Sequence, residues 1–137
     1  MQRIQKILAH TNKALEAIKS LEKNVILRNS LLEFDNLIWE AYKNCEAAIF
    51  LIKIEMKSVD ELDDSKLSFD QNYIDYNIFI AEENVGKAIS FIENGRLREA
   101  LNELRNGRNI LAELFAQARK EKINRIRANF KLKNANV

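Results

Sequence analysis

IQKILAHTNKALEAIKSLEKNV, residues 4–25, decides the fold. Its apolar members Ile4, Ile7, Leu8, Ala14, Leu15, Ile18, Leu21 and Val25 recur in steps of three and four, with Thr11 in the same row. That spacing puts them on one stripe of a helix and leaves the lysines and glutamates on the other side. The same pattern returns along almost the whole chain. The 137 residues contain no proline and three glycines, so little interrupts it. An all-α protein follows, and the length suits one helical-bundle domain spanning residues 1–137.

Four helices are expected, at about residues 2–27, 30–57, 69–94 and 96–130. In Ser30-Leu-Leu-Glu33 the serine and glutamate have the spacing of a capping box, which satisfies orphan amides at a helix start. The second stripe then runs through Phe34, Ile38, Ala41, Cys45, Ala48, Ile49 and Ile52. No Gly or Pro separates the first two helices, so a single bent helix over 2–57 is the alternative. Residues 58–68 are rich in Asp and Ser and read as the main loop, with Ser68 and Gln71 as a second capping pair. Asn94-Gly95 ends the third helix, since glycine takes the left-handed conformation of a C-terminal cap. The fourth follows at once, forming a helical hairpin. Antiparallel up-down packing of the four, in up-down-up-down order, is the expected architecture. Gly86 and Gly107 fall at similar heights on the hairpin and are expected to mark a close approach of its helices.

Composition excludes much chemistry. The longest apolar run, Ala47–Ile52, has six residues, against roughly 20 for a membrane span. The opening residues are charged and amphipathic, so no secretory leader is expected, and a single Cys45 suits the cytoplasm. The only histidine, His10, has no Glu three residues before it, as a di-metal carboxylate bundle needs, and Cys45 lacks the electropositive setting of a reactive thiol, so no cofactor, metal or catalytic residue is assigned. Cys45, within the second stripe, reads as a core residue. Asp60–Asp64 lacks the register of a calcium loop. Trp39, among Asp35, Asn36, Glu40, Lys43 and Asn44, reads as a boundary aromatic that could also line a pocket.

Arg3 and His10, separated by six residues, share one helix face. Their spacing resembles the Arg-x(4–6)-His pattern of the HEPN family of helical ribonucleases. The resemblance implies an RNA-cleaving dimer cleft, with both side chains around a phosphate. In size and composition the chain also resembles small all-helical subunits of prokaryotic RNA-guided defence complexes, with no motif to carry it further.

Two surfaces stand out. Residues 119–133 carry a local net charge of +6 through Arg119, Lys120, Lys122, Arg125, Arg127, Lys131 and Lys133. These are the candidate nucleic-acid contacts, on a C-terminal segment (119–137) that could fray. Residues 55–83 carry −7. The second surface is surplus apolar area flanking the main loop: Ile49, Phe50, Ile54, Phe69, Tyr73, Tyr76, Phe79 and Ile80. It reads as a homodimer or protein-partner interface at one end of the bundle. The leading expectation is therefore a small, non-catalytic, homo-oligomeric assembly protein. A nucleic-acid-binding accessory protein is the second expectation and a HEPN-like ribonuclease the third.

Overall fold

The computed structural model describes residues 2–28, 31–58 and 62–135. It contains helices α1 (Gln2–Arg28), α2 (Asp35–Glu55), α3 (Ile74–Glu93) and α4 (Leu97–Ala135). They form a four-helix bundle in which α1 and α4 each pack on both α2 and α3. Ile7, Ile18, Ile38, Ile52, Ile78 and Leu111 are among the fully buried side chains at its centre. Every one of them belongs to a stripe of period three to four, which is why the periodicity locates the core.

Packed neighbours are antiparallel. Arg3 of α1 pairs with Glu55 of α2 at 2.9 Å, while His10 meets Asn44. Along α2 and α4, Glu46 pairs with Arg108 at 3.1 Å, and Asp35 faces Arg119 and Lys122 at 3.7 and 3.4 Å. Because α4 runs against both α2 and α3, those two point the same way. The order of directions is thus up-down-down-up, where the simplest sequential order puts α2 and α3 antiparallel. The difference lies in the connection. Residues 56–73 could extend to about 60 Å, twice the roughly 30 Å length of α3, so they can return along the bundle before α3 begins. The path is visible in its contacts: Asp63 lies at Arg108, Ser65 at Asn109, and Asp70 at Asn77.

The helix starts differ from the capping-box reading. α2 begins at Asp35 after a turn closed by Phe34 N–H donating to the Leu31 carbonyl at 3.0 Å. Ser30 lies outside the described residues. Helix α3 begins at Ile74, and Ser68 and Gln71 do not cap it. Buried Asn77 organises that end instead. Its amide donates to the Asp70 carbonyl at 2.6 Å and its oxygen accepts the Asp70 N–H at 3.1 Å.

The stops are better determined. Gly95 has φ +74°, and Arg96 N–H donates to the Phe91 carbonyl at 2.8 Å, the pattern of a Schellman cap. At the end of α2 the equivalent position is Lys57, with φ +56°. A β-carbon in that conformation is disfavoured by about 1 kcal/mol. Gly107 marks the close approach of α3 and α4: a methyl there would lie 3.3 Å from Val85 Cγ2 and 3.4 Å from Asn84 Cβ. Gly86 does not, since a β-carbon there would meet nothing within 4 Å.

Between α1 and α3, Glu82 hydrogen-bonds to Glu22. That bond, burial and the repulsion between the two carboxyls raise the Glu82 pKa to about 7, against the opposing pull of Lys19. The raised value means that the folded state holds this proton more tightly than the unfolded chain does. Its stabilising contribution is complete below about pH 4.5 and is lost as pH rises through 7.

Two outcomes are expected. Gly86→Ala should raise stability by about 1 kcal/mol in urea melts, whereas Gly95→Ala should lower it by a similar amount. Glu82→Gln keeps a donor at all pH values. Its melting temperature should rise above that of the parent chain by a margin that widens between pH 5 and pH 8; a constant margin would refute the shared proton.

Candidate interaction surfaces

The basic segment is the upper part of α4. Ala118 is the last buried residue of that helix, yet the helix continues to Ala135. A 39-residue helix is about 58 Å long, so its final turns project past the core as an arm. The segment is helical through Ala135, where the sequence left room for fraying, because Lys, Arg, Ala and Leu favour helix and no Gly or Pro interrupts it. Lys120, Arg125, Arg127, Lys131 and Lys133 are exposed. Arg119 and Lys122 instead reach down to the largely buried Asp35 carboxylate in the first turn of α2. Lys122, Arg125 and Ile126 wall an open groove of about 390 Å³ against Leu32, Asp35 and Asn36.

The arm is also apolar on one side. Ile123 is 43 %, Ile126 62 % and Phe130 65 % exposed. Tracing that row back through Arg119 leads to Phe115 and Ala112, beside α2. There Trp39 stacks on Tyr42 with ring centres 5.5 Å apart and an angle of 24°. Phe115 lies tilted at 5.5 Å from the same indole. These rings and Ala112 line an apolar cleft of about 260 Å³. Trp39 therefore leaves the polar group around it: Asp35 and Asn36 belong to the groove above, and Asn44 turns towards α1.

The apolar residues flanking the main loop do not share one end. Ile49, Phe50 and Ile54 lie near the C-terminus of α2, whereas Phe69, Tyr73, Tyr76, Phe79 and Ile80 lie at or near the N-terminus of α3. Since α2 and α3 point the same way, the two stretches are a helix length apart. Ile49 is buried, Ile54 is partly buried, and Phe69 and Ile80 pack on the core. Phe50, Tyr73, Tyr76 and Phe79 are exposed. α2 packs on α1 and α4, and within 47–54 Ala48, Ile49 and Ile52 are buried while Phe50 stays exposed.

One centre went unread in the sequence. Arg108, 16 % exposed at its side chain, donates to Glu46 from Nη1 at 3.1 Å and pairs through Nη2 with Asp63. Its Nε donates to Asn109 Oδ1 at 3.1 Å, and Asn109 donates to Ser65 Oγ at 2.9 Å. Buried Arg105 adds a second cation 3.8 Å from Asp63. Burial works against the charge on Asp63, but hydrogen bonds from Ser65 and Arg108 outweigh it and hold the carboxyl well below the usual range. The legible signal was Arg105 and Arg108 either side of Gly107, close to the buried stripe of α4, but their acidic partner is more than forty residues away.

His10 and Arg3 are each committed to α2. The Asn44 amide donates to the Glu40 carbonyl and carboxylate at 2.9 and 3.1 Å. Its oxygen therefore accepts from His10 Nδ1 at 2.8 Å. Arg3 donates to Glu55. Cys45 is buried, and burial pushes its thiol up to about 12, which leaves no thiolate at neutral pH. Among the described residues no cluster of three His, Cys, Asp or Glu could hold a metal, and no helix is long and apolar enough to cross a membrane. No family model, curated protein or solved structure matches this chain.

Arg108→Met should free the strap and leave Glu46 and Asp63 without their shared cation. The expected loss is about 2 kcal/mol, with faster hydrogen exchange confined to residues 62–70. Unchanged exchange there would show that the strap is held by other contacts.

Proposed function

We propose that the protein is a non-catalytic helical assembly protein that self-associates through α4. The observation that carries this reading is the arm. A helix of about four turns beyond the core, with Ile123, Ile126 and Phe130 exposed in one row, is marginal in water by itself. An apolar row rimmed by charges is what a partner would cover. The groups that could have served catalysis, His10 and Cys45, are engaged in packing and local hydrogen bonds. A cytoplasmic setting fits a lone buried thiol.

A second reading has its own support. Seven exposed basic residues, two of them paired with Asp35, could neutralise a nucleic-acid backbone along a projecting helix, making the chain an accessory protein of nucleic-acid complexes. The row has only one aromatic, Phe130, which gives little platform for base stacking.

Sedimentation equilibrium of the full chain separates the two. A mass above 15.9 kDa at micromolar concentration, with no gain on adding short RNA or DNA, is expected. A strict monomer whose binding to RNA or DNA falls steeply with salt would overturn the assembly reading and establish the second.

A further inference from the structure

Helix α4 carries two rows. Leu104, Gly107, Leu111, Leu114 and Ala118 face the core. Ala112, Phe115, Arg119, Ile123, Ile126 and Phe130 form a second row in steps of three, four, four, three and four. Contacts of Phe115 with Trp39 and of Arg119 with Asp35 turn this row towards α2. Its lower half ends in a ready-made aromatic cleft, and its upper half ends in an exposed phenylalanine.

We propose that two copies pair antiparallel along this row, so that Phe130 of each fills the Trp39–Tyr42–Ala112–Phe115 cleft of the other. The inference rests on the assembly reading and names its partner and its register. The row is complementary to itself. Phe130 and Ala112 stand nine positions either side of residue 121, and Ile126 and Ala116, which borders the row, five. A two-fold axis at residue 121 therefore sets Phe130 and Ile126 of one arm against Ala112 and Ala116 of the other, which lets the helix axes approach. Ile123 falls opposite Arg119, whose aliphatic stem can cover it while the guanidinium stays on Asp35.

Charge selects this arrangement over an alignment of the two basic arms alone. One turn of α4 below the cleft, Arg108 holds the strap that carries Asp63 and the exposed Asp64. In this register Lys131 and Lys133 of one arm fall opposite residues 111 and 109 of the other copy, beside that strap, whereas two basic arms side by side would meet only their own charge. Trp39, 47 % exposed, stacked on Tyr42 and held at a tilt by Phe115, is the kind of residue on which binding energy concentrates.

The register gives the test. Ala116→Cys and Ile126→Cys are made separately in the full chain, and buried Cys45 supplies no background. In the pairing, identical positions lie about 15 Å apart, too far for a disulfide, while position 116 of one copy faces 126 of the other. Cross-linked dimer is expected only when the two variants are mixed under mild oxidation. The single tryptophan gives a second readout on the unaltered protein. Trp39 emission should shift to the blue with rising concentration, and Phe130→Asp should abolish the shift and weaken association at least about tenfold. A parent chain that sediments as a dimer, with no mixed cross-link and no effect of Phe130→Asp, would overturn this pairing and leave the assembly reading standing. A strictly monomeric parent chain would overturn both.

Discussion

Arg108 holds the rest of the architecture in place. α2 and α3 point the same way across the bundle, so their connection must travel back along α4, and something must fix it there. A guanidinium does so because it presents several donors in one plane. It takes Glu46 from α2, Asp63 from the strap and Asn109 from its own helix. Three segments distant in sequence are tied at one point. The guanidinium itself is largely buried, although Glu46 and Asp63 reach solvent, and a charged donor so placed bonds more strongly than in open water. Asn77 repeats the device with neutral groups at the far end of the strap, where it replaces the side-chain cap that α3 lacks.

The same connection explains why the surfaces lie where they do. Running it back over α4 moves the aromatic start of α3 away from the apolar end of α2. Apolar surface continuous along the chain is thereby split into separate patches. The longest row is instead on α4, apolar but for Arg119, and it extends past the core because that helix is longer than its neighbours. Its lower part is walled by Trp39 and Tyr42, and the same flank stands bare above Ala118. Asp35 joins the two parts, since it lies in the first turn of α2, where a negative charge suits the helix dipole, and draws Arg119 and Lys122 to it.

Much of this was legible from local rules. The stripe from Ile4 to Val25, the stop at Asn94-Gly95 and the buried position of Cys45 follow from periodicity and backbone sterics, which act over a few residues. Helix starts were less legible. Side-chain caps are optional, and both α2 and α3 begin without one. Gly86 and Gly107 are alike in sequence yet differ in space, because only neighbours from α3 distinguish a tight glycine from an open one.

The sequence by itself determined that this chain is a set of amphipathic helices with a basic, helix-favouring end, since period, propensity and the absence of proline are local properties. They left open the break between α1 and α2. Tertiary structure alone decided that α2 and α3 run in the same direction, that Arg108 is a junction and that Trp39 opens a cleft. Each depends on which helices become neighbours. That choice is made by a long connection whose own residues carry no periodic signal, and by ion pairs between groups more than forty positions apart.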